Sequence, residues 1–157
     1  MSKKQNLPDI YKRIESCACF RMRAAARRLT RDYDEALRPI GLKVTQFTAM
    51  AVIKGYKPKS VTEMAEFLAM ERTSLVRTLS LMEDKGWIRL RPEGYRRERE
   101  ITLTEKGEKL LESAIPYWEK AQDNFETRMG EGIWQKIWRN IVRVAGNDGS
   151  RQREGLA

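Results

Sequence analysis

The sequence contains no histidine, so the side chain that most often acts as a general base near neutral pH, and most often binds metals, is missing. Its two cysteines, Cys17 and Cys19, are too few for a disulfide framework. In a continuous helix their i, i+2 spacing sets the Cβ vectors about 200° apart, so they could neither pair with each other nor share a metal. A glycine-rich phosphate loop, a nucleophile motif and clustered carboxylates are also absent. No catalytic residue, metal or cofactor is therefore expected, and the chain does not read as an enzyme. No apolar run approaches the roughly 20 residues that a membrane-spanning helix needs. The opening residues Met1-Ser2-Lys3-Lys4-Gln5-Asn6 are polar with no apolar stretch behind them, so a secretory signal is not expected and the cytoplasm is the expected compartment. No internal repeat or low-complexity segment is evident.

What is present begins with charge. Thirty-one lysines and arginines against 22 acidic residues give a formal net charge of +9. A chain of 157 residues, 41% of them hydrophobic, can bury one core, so residues 1–157 read as a single domain. A cationic domain of this size attracts polyanions, of which nucleic acid is the commonest. The alternative is a basic protein that is merely soluble, and the placement of the charge decides between them.

Periodicity supplies that placement. Leu7, Ile10, Ile14, Cys17, Ala18, Ala25, Leu29, Tyr33 and Leu37 recur at three- and four-residue intervals, the face of one long amphipathic helix ended by Arg38-Pro39. A second helix is expected from a Thr45 cap to about Lys54, burying Phe47, Met50, Ala51 and Ile53. Ser60-Val61-Thr62-Glu63 matches a capping box and opens a short helix to Leu68. A further helix from about Arg72 to Lys85 buries Leu75, Val76, Leu79 and Met82, and Gly86 stops it. Trp87–Arg91 and Glu100–Leu103 then alternate as two half-buried strands around the loop Pro92–Arg99. Thr104 is a plausible cap for a helix whose buried face reads Leu111, Ile115, Trp118, Gln122 and Phe125, bent at Pro116. After Gly130-Glu131-Gly132 a last helix runs from Ile133 to about Val144, and residues 146–157 read as a disordered tail.

Helix, turn, helix and basic hairpin is the order of a winged helix-turn-helix. The expected fold is mainly α with a small β-wing: a DNA-binding lobe over residues 40–104, flanked by helices over 7–38 and 105–145. In such a motif the second helix enters the major groove with its N-terminal residues at the base edges. Arg72, Thr73, Ser74, Arg77 and Thr78 are the candidates. The planar fork of arginine matches guanine O6 and N7, and the hydroxyls serve either strand. The hairpin carries five arginines between Arg89 and Arg99, and Arg96, Arg97 and Arg99 are the candidates for phosphate or minor-groove contact. Ser60 and Thr62, at a helix start, are lesser phosphate candidates. The competing reading of each is a solvated helix face or charged loop.

The stretch from Cys19 through Gly107 resembles the MarR family of bacterial winged-helix regulators. The matching pieces are Gly41-Leu42 with Thr45-Gln46-Phe47, then Val61–Ala65, Glu71–Arg77, Met82–Ile88, Arg96-Arg97 and Leu103–Gly107. The resemblance implies a homodimer built from the terminal helices, binding palindromic double-stranded DNA as a regulator, most often a repressor, that small ligands or oxidants modulate. It also implies base reading by Arg72–Arg77 and a wing-tip role for Arg97. The sequence departs from the family at Tyr95, where an aspartate usually orients that arginine; Glu93 or Glu98 is the expected substitute.

Two sensing modes stay open. In the family, phenolic or aromatic carboxylates lodge where the first and fifth helices meet the winged lobe, and Arg23 is the candidate partner for such an anion. Cys19-Phe20 instead falls where the hydroperoxide-sensing branch carries its reactive cysteine. Tyr33 matches a tyrosine of that sensor, while Arg23 replaces a second one. A remoter alternative is a nucleic-acid-binding protein without sequence preference.

Overall fold

The computed structural model describes residues 7–90 and 101–145. The expected single N-terminal helix is two, α1 (Leu7–Glu15) and α2 (Ala18–Leu37). Ser16 Oγ donates to the Arg13 carbonyl at 3.1 Å, and Cys17 is extended at φ −66°, ψ 120°. A hydroxyl bonded to the preceding turn competes with continuation of the helix. The divergence expected for the two cysteines is corrected accordingly, because Cys17 stands outside the helix that holds Cys19. Both thiols are exposed.

A 3₁₀ turn (Arg38–Ile40) leads through Gly41 to α3 (Val44–Gly55). Its cap is not Thr45. The Gln46 side chain accepts from Lys43 N at 3.1 Å and Asp34 Oδ1 accepts from Val44 N at 2.8 Å, which satisfies two of the first amides. Helix α4 (Val61–Phe67) starts at Ser60, whose Oγ accepts from Glu63 N at 3.1 Å. Only half of the expected capping box closes. The Glu63 carboxylate turns outward to accept from Lys59 N at 2.7 Å and from the Tyr56 hydroxyl at 2.8 Å.

The turn after α4 carries Ala69 at φ 50°, with Met70 N bonded to the Ala65 carbonyl at 2.9 Å. Helix α5 (Arg72–Asp84) follows. It stops as expected at Gly86 (φ 70°), where Trp87 N closes onto the Met82 carbonyl at 2.9 Å. Strands β1 (Ile88–Leu90) and β2 (Ile101–Leu103) pair antiparallel, Ile88 opposite Leu103 and Leu90 opposite Ile101. Thr104 caps α6 (Glu105–Met129), its Oγ1 accepting from Gly107 N at 3.0 Å. The helix continues through Pro116 without ending there. After Gly130, α7 runs over Ile133–Ala145. Among the described residues no helix is long and apolar enough to cross a membrane.

The core joins α5 to everything around it. Leu75, Leu79 and Met82 of α5 are fully buried with Met50, Met64 and Ile88. On α6 the buried residues are Gly107, Ala114, Ala121 and Phe125, which shifts the expected face. Leu111, Trp118 and Gln122 are half-buried, and Ile115 is 40% exposed. Periodicity ranks large apolar residues, whereas close helix packing here selects small ones seven residues apart. Val76 and Ala51, expected inside, are exposed.

An ion pair fastens α2 to α6. Arg128 donates to Asp32 Oδ2 at 2.8 Å, and Arg28 Nε donates to Oδ1 at 3.1 Å. The Arg128 hydrogen bond lowers the Asp32 pKa below the ordinary 3.8, against an opposing desolvation effect. A lowered carboxylate contributes stability above its unfolded value and loses it as pH falls through the folded value. Arg128→Ala is therefore expected to move the Asp32 titration upward toward 3.8, as read from its carboxyl carbon shift by NMR. The pair is solvent-facing, so little change in stability at neutral pH is expected.

Candidate nucleic-acid interface

Helix α5 turns one face inward through Leu75, Leu79 and Met82, and this fixes what it presents outward. At 100° per residue the opposite ridge is Thr73, Arg77 and Ser80, flanked by Ser74 and Val76. Arg72, Thr73, Ser74 and Arg77 are all exposed, as expected. Thr78 is half-buried and its hydroxyl donates to the Ser74 carbonyl at 3.1 Å, which places it beside the ridge rather than on it. Two residues of this face escaped the sequence reading. Ser80 is exposed on the ridge, and Val76 is 38% exposed, an apolar group of the kind that meets a thymine methyl. Their signal was the buried Leu75, Leu79, Met82 series, from which Val76 lies about 100° away.

The helix is held rigidly from three sides. Helix α4 packs against its inner face, the turn at Ala69 sets the entry, and Glu83 accepts from Leu90 N of β1 at 2.9 Å. Ser60 is half-buried with its oxygen accepting the Glu63 amide, and a hydroxyl in that role can still donate outward. Thr62 is exposed on the first turn of α4, and Arg89 is exposed on β1. The structure thus brings the start of α4, the outer ridge of α5 and the root of the hairpin into one lobe. Arg96, Arg97 and Arg99 lie outside the described residues, as do Tyr95, Glu93, Glu98 and the tail 146–157.

A second feature lies where α2, α3, α6 and α7 meet. An open cavity of about 280 Å³ is walled by Leu29 of α2, Val44 of α3, Trp118 and Phe125 of α6 and Trp134 of α7. Thr30, Tyr33 and Gln122 supply its polar groups. The Tyr33 hydroxyl donates to Gln122 Oε1, whose Nε2 donates to Glu126 Oε1 at 2.7 Å. Gln135 of α7 donates to the other Glu126 oxygen at 3.0 Å. Burial, with the nearby Glu126 charge, raises the Tyr33 pKa above 10.0, so the phenol stays a donor. Arg23 is exposed and does not line the cavity. It stands ten residues before Tyr33, about 15 Å along the helix. Cys19 is exposed in the first turn of α2, about 21 Å along the axis from Tyr33, so these two do not touch within one chain.

Residues 40–98 match the family model described as MarR family. The organic hydroperoxide resistance transcriptional regulator of Bacillus subtilis is 31% identical over 104 residues, 66% of this chain and 71% of that one. The chain spans 61–71% of the length of the first curated relatives it matches. Among solved structures, the M. tuberculosis transcriptional regulator MosR in complex with DNA superposes with a TM-score of 0.74 at 36% identity, covering 87% of this chain and 98% of that one. CouR of Rhodococcus jostii, bound to p-coumaroyl-CoA, shares the fold with a TM-score of 0.71 at 15% identity over 84% of this chain and 94% of that one. The family match in the helix-turn-helix lobe, and an identity sustained through the helices on either side of it, place this chain in the MarR family of transcriptional regulators.

Proposed function

We propose that the protein is a sequence-specific double-stranded-DNA-binding repressor that acts as a homodimer on a palindromic operator. The observation that carries this is the outward ridge Thr73–Arg77–Ser80 on a helix braced by α4 and β1. Arginine and hydroxyl groups fixed in that way suit base edges, whereas a sequence-blind binder needs only diffuse charge. The 36% identical regulator whose structure includes DNA supports the same reading.

The dimer follows from uncovered apolar surface. Ile10, Ile14 and Phe20 near the N-terminus and Ile133, Trp138 and Val144 of α7 are exposed, Val144 at 81%. Apolar groups left exposed on both terminal elements favour burial against a second copy. Two recognition helices related by a two-fold axis then lie about 34 Å apart, one turn of DNA. Selection from a random duplex pool is expected to return an inverted repeat, bound at least about 10³-fold more tightly than random duplex at physiological salt. Sizing in solution is expected to give a dimer. Equal affinity for all duplexes would leave a sequence-blind binder in its place.

A small ligand in the cavity between α2, α3, α6 and α7 is proposed to release the DNA, with phenols and aromatic carboxylates as the classes the family suggests. The exposed Cys19 favours a second mode. A hydroperoxide would oxidise its thiolate, the sulfur taking one peroxide oxygen as sulfenic acid and an alcohol leaving. The 31% identity to an organic hydroperoxide resistance regulator supports it. Cumene hydroperoxide is then expected to release DNA from the parent protein but not from Cys19→Ser.

A further inference from the structure

We infer that Val76 reads the 5-methyl group of a pyrimidine in the major groove. At one or more steps of each half-site, the recognition helix then favours thymine over uracil and 5-methylcytosine over cytosine. This deepens the proposed reading of DNA by α5 and rests on it.

Exposure is the first observation. Val76 is 38% exposed, and among the described residues it belongs neither to the buried core nor to the apolar residues packed against it. Its helical neighbours Arg72, Thr73, Arg77 and Ser80 are all exposed and polar. Helix formation does not call for valine at such a site, because a β-branched side chain has a lower helix propensity than alanine. Nor is one valine ringed by polar groups a protein-docking patch, which needs a few hundred Å² of contiguous apolar surface.

Position is the second. Helix α5 begins at Arg72, so Val76 lies at the start of its second turn. A helical side chain leans toward the N-terminus, which carries the Val76 methyls over the turn of Arg72 and Thr73. That is the end of a recognition helix that meets base edges. Leu81, the other exposed large apolar residue of α5, stands elsewhere. Five residues on, it lies about 7.5 Å farther along the axis and about 140° around it.

Chemistry names the contact. In the major groove only thymine presents a methyl group, on C5, beside the donors and acceptors that all four bases offer and valine cannot satisfy. A valine confined by its helix to one rotamer loses little freedom on contact. Covering one methyl group in this way is worth about a fourfold preference. Cytosine carries a hydrogen at the same ring position, so its 5-methyl form offers the same apolar surface.

The test uses the full chain and the duplex it selects from a random pool. Each thymine of that site is replaced in turn by deoxyuridine, which removes only the methyl, and binding is read by fluorescence anisotropy. Cytosine and 5-methylcytosine are then compared at every step that responds. At one step or more per half-site, deoxyuridine is expected to weaken binding about fourfold, and 5-methylcytosine to bind about fourfold more tightly than cytosine. Val76→Ser, whose side chain has no methyl, is expected to bind the two members of each pair alike; circular dichroism confirms its fold. A selected site in which no thymine methyl matters, or a methyl effect undiminished in Val76→Ser, overturns the inference and leaves sequence-specific binding standing. A pool that yields no preferred site overturns both.

Discussion

Replacing Arg77 with alanine is expected to cost about 1–3 kcal/mol of affinity for the selected duplex, roughly a 5- to 150-fold loss, while binding to random duplex changes little. Arg77 sits one turn along the exposed ridge of α5, between Thr73 and Ser80, where the proposed docking in the major groove would bring a side chain to base edges. Because it is exposed, its removal is expected to leave the melting temperature unchanged, which separates lost recognition from lost folding. Arg77→Lys keeps the charge but loses the planar two-donor fork, and is expected to recover non-specific affinity without the preference. Arg97→Ala is the contrasting case. If the hairpin anchors the backbone, that change weakens all sequences alike and lowers the salt dependence by about one phosphate contact. Identical behaviour of the two arginine variants would erase the division between reading and anchoring.

The second large effect is structural. Gly107 lies at the start of α6 against the Trp87 backbone, and an added Cβ would stand 1.9 Å from the Trp87 carbonyl oxygen and 2.9 Å from its carbon. Neither atom can rotate away. The same carbonyl accepts from Thr104 N at 3.0 Å, and Thr104 Oγ1 donates to the adjoining Gly86 carbonyl at 2.7 Å. Helix α6 would have to withdraw from the hairpin root by about an ångström. Overpacking of this kind costs about 1–3 kcal/mol, and a backbone clash belongs at or above the upper end. For a chain of this length 3 kcal/mol corresponds to a fall of about 6–12 °C in Tm. Gly55→Ala is the control, since a Cβ there meets nothing within 4 Å. A normal melting temperature for Gly107→Ala would show that α6 is not locked to the hairpin by this contact.

The lobe was legible because its punctuation is written in side chains with one local use. Ser60 and Thr104 cap the helices they were expected to cap, and Gly86 stops α5 where expected. Alternation of apolar residues located both strands. The terminal region was less legible for equally physical reasons. Apolar periodicity runs unbroken through Cys17, and neither glycine nor proline marks the break. It arises from Ser16 folding back onto Arg13, a competition that periodicity does not register. On α6, Ala114 and Ala121 carry the buried face, yet alanine gives a weak apolar signal beside Ile115 and Trp118. On α5 the exposed Arg72, Thr73, Ser74 and Arg77 were read correctly, Ser80 was missed, and Val76 was misplaced because an apolar residue near a core face reads as core. Arg23, expected at the junction because it lies on the first helix near it, is not among the cavity's walls; one wall residue, Tyr33, bonds instead to a residue 89 positions away, a pairing no local pattern signals.

One consequence of α6 concerns mechanics. Its 25 residues make a rod about 37 Å long, clamped to the DNA-binding lobe at Gly107 and meeting α7 beyond Met129. Tilting such a rod by ten degrees sweeps its free end through an arc of about 6 Å, a sizeable fraction of the 34 Å pitch that two half-sites must match. Under the proposed dimer, modest wedging beside Trp118, near its midpoint, would thereby be geared up to a displacement of several ångströms between the two recognition helices.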